Sequence, residues 1–310
     1  MTTAPLAGLR VVEIAANLAG PWAGEILARL GADVVKIERP DGGDEARAWG
    51  PPFLDGAGSV FHVANAGKRS VVLDLRDAGD VARLHARLAE ADVLVQNLRP
   101  GALDALGLGA DAVTARYPRL IYCSLAAFPP TGPLRDRPGF EPMMQAFAGL
   151  MLVGGHDGDP PQRIGVPLLD CGTGMWAAIG ILAALSERER TGRGGVVDAS
   201  LFDTALAWTG THFASHRMSG EMPPRHPTGS PKLIPFQAFE TKTGPVIIAA
   251  ANERLFAALA RALDRPEWAA DPRFANNAGR YEHREELLAA IAEVMRTRTK
   301  GEWLDRLEQA

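Results

Sequence analysis

The stretch GLRVVEIAANLAGPWAGEILARLGADVVKIE, residues 8–38, decides the fold. Its opening, GLRVVEIA, is short, rich in β-branched residues and follows a glycine, which predicts a buried strand. Gly20-Pro21 breaks the chain, PWAGEILARLG has helical spacing, and Gly31 supplies a helix stop. ADVVKIE predicts a second strand. The result is a βαβ unit, whose parallel strands require the crossover helix. The alternation continues outward. SVVLDL (70–75) reads as a strand, DAGDVARLHARLAEA (77–91) as a helix capped by Asp77, and DVLVQNL (92–98) and RLIYCSLAAF (119–128) as two more strands. Such alternation predicts a doubly wound parallel sheet in an α/β domain over roughly the first half of the chain.

The Pro/Gly-rich run PPTGPLRDRPG (129–139) marks a loop. Beyond it lie a small-residue helix around MMQAFAGLM (143–151) and a long helix within 165–194, stopped near Gly192. VVDASL (196–201) reads as a strand and LFDTALAWTGTHFASHRM (201–218) as a helix. Residues 219–236 form a Gly/Pro-rich loop, and FQAFETKTGPVIIAAAN (236–252) a hairpin around Thr243-Gly244. From Arg254 onward the pattern is helical, with a break at 264–277. The expected organisation is a large domain over 1–190, a linker over 191–225 and a smaller α+β domain over 226–310.

Composition bounds the function classes. Of 310 residues, 46% are hydrophobic and 23% charged, as in an ordinary globular protein. The net charge of -4 gives no drive toward nucleic acid or an anionic membrane. Two cysteines, Cys123 and Cys171, make no disulfide framework and suit a reducing cytoplasm. No apolar run reaches the length of a membrane span, and the N-terminus lacks a signal-peptide core.

Three chemistries are weighed on the residues. Glu38, ending the second strand, invites a nicotinamide dehydrogenase, where an acidic residue there holds the ribose. The first turn, AANLAGP, lacks G-x-G-x-x-G, so the backbone cannot approach a pyrophosphate closely. His212 and His216 share a helix face but lack the Glu of H-E-x-x-H and a third ligand, so no metal site is expected. Cys171 has no His-plus-Asn context that marks a nucleophile. Asp170 precedes Cys-Gly-Thr-Gly at the start of the long helix. On local sequence it reads first as an N-cap. The same place suits a carboxylate nucleophile, with helix-terminal amides to stabilise the anion and glycines to leave room for a substrate.

The motifs PLAGLRVVEIA, GPWAGEILARLGADVVKIERPDGGDEAR, NAGKRSVVLDLR, ADVLVQNLRPGALDALGLG, TGPLRDRPGFEPMMQAFAGLM, LLDCGTG, ILAALSERERTGRGGVVDASLFDTAL and RPEWAADPRFANNAGR occur in this order over nearly the whole chain. Together they resemble the family III CoA-transferases, the CaiB/BaiF group that includes formyl-CoA and carnitine CoA-transferases and shares its fold with the α-methylacyl-CoA racemases. The resemblance implies a Rossmann-like doubly wound parallel sheet domain with a smaller α+β domain. It also implies coenzyme A as an acyl-CoA substrate, a carboxylic acid acceptor, no permanently bound cofactor and an interlocked homodimer. It places the catalytic Asp on Asp170. CoA contacts carry over to Leu18, Ala19, Arg39, to Leu73, Asp74, Leu75 and Arg76, and to Asn97, Leu98 and Arg99, with contributions from Lys68 and Arg69. Arg39, Arg76 and Arg99 suit phosphate groups. Ala105 stands where formyl-CoA transferase has a basic residue, and members usually continue beyond the position of Ala310. The substrate pocket is assigned to Phe140 and Glu141, with 140–147 and 219–240 shaping acid specificity. The racemase branch has a His where Phe140 stands, and Glu141 points elsewhere if that segment is regular. An acyl-CoA racemase and a non-catalytic CoA-binding protein remain the alternatives to CoA transfer.

Overall fold

The computed structural model describes residues 4–230 and 232–310. The first half builds one parallel sheet. Its strands are β1 (Arg10–Ile14), β2 (Asp33–Glu38), β5 (Arg69–Val72), β6 (Val93–Gln96), β7 (Ile121–Ala126) and β8 (Val196–Ser200); a two-residue ribbon, β3 (Phe53–Leu54) with β4 (Ala57–Gly58), lies between β2 and β5 in the chain. The sheet order is β5-β2-β1-β6-β7-β8, every neighbouring pair parallel. Counting only these six strands, the order is 3-2-1-4-5-6, the doubly wound Rossmann arrangement. The order reverses between β1 and β6, so the crevice outside their carboxyl ends is where such a sheet takes its ligand.

Helices cover both faces. α3 (Ala78–Leu88) and α4 (Ala110–Arg116) bury Leu84, Leu88 and Val113 against Val12, Val35 and Leu94 of the sheet. Asp77 caps α3 as expected, its side chain accepting from the Asp80 amide. On the other face α1 (Ala19–Arg29) crosses α6 (Leu168–Thr191). Gly174 makes that approach possible, because a Cβ there would lie 2.8 Å from the Ala19 carbonyl oxygen. α2 (Ser59–Asn65) and α5 (Glu141–Phe147) complete this layer, and α7 (Leu201–Ser219) follows β8 directly.

Three expectations are corrected here. Residues 191–225 are not a linker: β8 is the sheet's edge strand, hydrogen-bonded in register to β7, and α7 packs Thr204 and Ala205 into the core. Compact units form instead from 1–150 with 163–211, and from 151–162 with 212–310. The second correction concerns α6, which is by length and composition apolar enough to cross a membrane. Here it packs in the domain, burying Leu169, Ala177, Ala178 and Ile181. Gly192 ends it in the left-handed conformation, at φ 74°, where the sequence placed its stop. The third concerns Asp170. The helix begins at Leu168 with Pro167 at the cap, so Asp170 lies inside the first turn and caps nothing.

The second unit has its own core. The hairpin β9 (Phe236–Phe239) with β10 (Val246–Ala249) packs Phe239, Val246 and Ile248 against Phe256, Leu259, Leu287, Ile291 and Trp303 of the C-terminal helices. Arg280 is fully buried there, donating to the carbonyls of Ile234 and Phe274. Arg225 ties the 151–162 segment into this unit through bonds to the carbonyls of Gly154, Asp159 and Pro160.

Candidate active site

Two adjoining cavities open at the carboxyl ends of the strands. The first, of about 460 Å³, is lined by Arg39, Leu73, Asp74, Leu75, Arg76 and Leu98, together with Ile14, Ile37 and the turn 40–45. The second, of about 320 Å³, is lined by Leu18, Ala19, Asn97, Leu98, Arg99, Phe140, Glu141 and Asp170, with Asn17, Trp49 and Arg137. Ala16, Glu45 and Leu98 line both. Apart from Lys68 and Arg69, every residue assigned from sequence to CoA or to the substrate pocket lines one of these two adjoining spaces. Arg39 and Arg76 meet in the first and Arg99 falls in the second.

The cations differ in readiness. Arg39 is exposed and only loosely tied, to Glu45 at 3.7 Å. Arg76 is held by Asp74 through its Nε and Nη2 at 2.9 and 3.0 Å. Lys68 and Arg69 leave the set. Lys68 is buried against Glu13, the Pro21 carbonyl and Asn65. Arg69 pairs with Asp33 at the amino ends of β5 and β2, the opposite edge of the sheet. Ala105 adds no charge, while Arg137, overlooked in the sequence, brings a guanidinium to the Asp170 cavity.

Glu38 is already spent. Its carboxylate accepts two bonds from Arg47, at 2.7 Å each, and others from Ser70 and the Asp44 amide. Burial alone would raise its pKa, but these bonds outweigh it and hold the carboxyl at about 2. A carboxylate so engaged has no free lone pair aimed at a ribose, which agrees with the missing glycine fingerprint. Among the described residues, no group of three or more His, Cys, Asp or Glu is placed to hold a metal ion.

Asp170 is half-buried, and its carboxyl has no hydrogen-bond partner among the described residues. Burial pushes its pKa up to about 7, the nearby Glu141 charge adds to the rise, and Arg163 opposes it. Glu141 does not point away, as a regular segment suggested. It is buried as the first residue of α5, accepting from Gln145 at 2.6 Å and pairing with Arg163 at 3.3 Å. Gln145 in turn exchanges bonds with the backbone of Ile164, which fixes the strap leading into α6. Phe140 is 60% exposed, on the cavity wall rather than in the core. The glycines after Asp170 do not make room for substrate. Gly172 lies under Trp208 and Gly174 under Ala19 and Trp22, so they serve helix packing.

Sequence reading missed Asn17, although its neighbours Leu18 and Ala19 were assigned. Asn17 adopts φ 67° and its Oδ1 is buried without a partner among the described residues. The signal lay in its neighbours: a polar residue in an otherwise apolar strand-to-helix turn at the switch point.

Comparison with known proteins gives the same assignment. Residues 6–310 match CoA-transferase family III. The chain is 37% identical to the acetyl-CoA:oxalate CoA-transferase of Acetobacter aceti, over 99% of this chain and 79% of that protein. It is 34% identical to the human succinyl-CoA:glutarate CoA-transferase, over 97% and 68%. A CaiB/BaiF family protein from Brucella suis superposes with a TM-score of 0.83 at 39% identity, covering 98% of this chain and 82% of that one. With the sheet order and cavities described above, the protein belongs to the family III CoA-transferases.

Proposed function

We propose that the protein moves coenzyme A from an acyl-CoA to a carboxylic acid with Asp170 as nucleophile. The observation that carries this reading is that the two cavities adjoin, sharing Ala16, Glu45 and Leu98 in their walls. One is lined by Arg39 and Arg76 and sized for part of a nucleotide; the other holds the unpartnered Asp170 carboxyl. An extended thioester whose nucleotide lies in the first reaches Asp170 in the second.

The steps balance without a cofactor. The Asp170 carboxylate attacks the thioester carbonyl, the C–S bond breaks, and CoA leaves as thiolate, giving a mixed anhydride. The thiolate then attacks the aspartyl carbonyl, forming an aspartyl-CoA thioester and releasing the donor acid. An acceptor carboxylate attacks that thioester, and the same two steps run in reverse. Each intermediate is close in energy to a thioester, so the sequence is reversible where a serine ester would be a trap. The first turn of α6 places positive backbone charge beside the developing oxyanion. Phe140 walls the cavity and limits water at the anhydride.

The relatives are named for oxalate and glutarate, so these acids and succinate are the first acceptors to test. The apolar face of α6, where Met175, Trp176 and Ile179 are exposed, supports a homodimer; light scattering across a dilution series checks it. The decisive experiment mixes an acyl-CoA panel with these acids and identifies the CoA products by mass spectrometry. Asp170→Ala abolishes transfer while CoA binding persists. Transfer that survives this substitution would remove Asp170 from the mechanism.

A further inference from the structure

A buried quartet of charges lies beneath the turn between β1 and α1: Glu13, Lys36, Asp44 and Lys68, each with a side chain no more than 2% exposed. Two cations and two anions balance. Lys36 Nζ meets Glu13 Oε1 at 3.0 Å, Asp44 Oδ2 at 2.8 Å and the Ala15 carbonyl at 2.6 Å. Lys68 Nζ meets Glu13 Oε2 and the Pro21 carbonyl, each at 2.7 Å, and Asn65 Oδ1 at 3.0 Å. Each ammonium has three donors. Lys68 finds a hydrogen-bond acceptor for all three. Lys36 donates to Glu13 and the Ala15 carbonyl and meets Asp44 Oδ2 as an ion pair, that oxygen having no hydrogen-bond partner among the described residues. Glu13 joins the lysines by giving one oxygen to each.

These bonds converge on one short segment. Lys36 holds the carbonyl of Ala15, Lys68 holds the carbonyl of Pro21, and Asp44 Oδ1 accepts from the Asn17 amide at 2.9 Å. Asn17 is the residue in the turn with φ 67°, a left-handed conformation that asparagine adopts more readily than most non-glycine residues. Buried ion pairs seldom stabilise a fold relative to apolar residues of the same shape, because desolvation offsets the attraction. What this quartet provides is placement: three backbone points of the seven-residue segment 15–21 are anchored by groups that cannot move without stranding a buried charge.

We propose that the Glu13–Lys36–Asp44–Lys68 quartet is a positioning device for Asn17, holding the β1–α1 turn so that Asn17 keeps its place in the wall of the cavity that contains Asp170. The proposal rests on CoA transfer as the reaction. None of the four is a catalytic residue; they act through the turn. Where a dinucleotide enzyme shapes this turn with glycines, the present chain shapes it with internal charges.

The test is a double-mutant cycle read in two ways. Lys36→Met removes the hub, and Asn17→Ala removes the carboxamide. If Lys36→Met fails to fold, the charge-balanced Lys36→Met/Asp44→Asn replaces it, leaving the Glu13–Lys68 pair intact. In either variant, hydrogen exchange of the peptide over 15–21 is expected to accelerate roughly tenfold or more while the β7 peptide is unchanged, as local release without global opening requires. Turnover is expected to fall roughly tenfold or more for either single change, with KM for acyl-CoA moving much less. The combined variant is expected to be no slower than the worse single one, since both losses pass through the same group. Unchanged exchange over 15–21, or turnover losses that multiply, overturns the proposal. Wild-type protein that transfers CoA to no acid overturns the reaction instead, and the exchange measurement still judges the device.

Discussion

Glu141 and Asp170 line one cavity, and the charge of the first raises the pKa of the second. Glu141 is fixed by Gln145 Nε2 at 2.6 Å and by Arg163 at 3.3 Å, so its carboxylate keeps its place in that cavity wall. For the free enzyme, kcat/KM should therefore rise with pH through about 7, as the Asp170 carboxyl loses its proton and becomes nucleophilic. Glu141→Gln keeps the acceptor oxygen and removes the charge. It should move that acid limb down by about one pH unit, since a nearby like charge is lost. Arg163→Met should move it up. A pH–rate profile unmoved by either substitution would remove this coupling.

The same raised pKa costs stability. In the unfolded chain the carboxyl ionises near its ordinary value of 3.8, while in the folded protein it holds its proton to about 7. Folding is therefore unpenalised below about pH 4 and penalised increasingly up to about pH 7, beyond which the penalty is constant. Asp170→Asn should relieve it. The gain should be near zero at pH 4 and reach roughly 1–3 kcal/mol at pH 8, discounted for the half-exposed side chain. Chemical denaturation at the two pH values measures it, and an equal gain at both would show that ionisation is not the cause.

Gly174 faces the first residue of α1. An alanine Cβ would lie 2.8 Å from the Ala19 carbonyl oxygen and 3.0 Å from two Trp22 carbons. Gly174→Ala gains roughly 1 kcal/mol of helix propensity, but overpacking of a fixed backbone contact costs about 1–3 kcal/mol. The net change should be a loss of about 1 kcal/mol, seen as a lower melting temperature. Because Ala19 also lines the Asp170 cavity, KM for acyl-CoA should rise severalfold. A melting temperature that rises would mean that α1 yields at no cost.

The sheet was legible because its strands are short apolar runs bounded by glycines and capped helices. Residues 8–38 alone imply a parallel unit, and Asp77 announces its helix. The linker expectation failed because Val196–Ser200, although legible as a strand, carries no local sign that it pairs with β7 as the edge of the sheet. Asp170 was legible as a position but not as an environment. Its exact place in the first turn depends on Pro167 and the strap before it, and its raised pKa on burial first and then on Glu141, far away in sequence. The internal charges were the least legible. Lys36 and Lys68 look like surface lysines until the fold brings Glu13 and Asp44 between them. The same folding turns Lys68 from an expected phosphate contact into a buried support.

Phe140 separates transfer from racemisation. A racemase removes the proton beside the thioester carbonyl and returns one to the opposite face, which needs two groups that exchange protons. Phe140 stands on the cavity wall, 60% exposed, and the helix it caps carries no titratable side chain besides Glu141. Glu141 is held by Gln145 and Arg163, so its oxygens are occupied rather than free to take a carbon-bound proton. Incubation with a chiral 2-methylacyl-CoA in deuterated water should give no deuterium at the α-carbon and no inversion, while an added acid receives CoA. Phe140→His should restore slow exchange if the cavity geometry alone suffices for the second proton carrier. Rapid exchange with inversion by the unmodified protein would replace the transferase reading with a racemase.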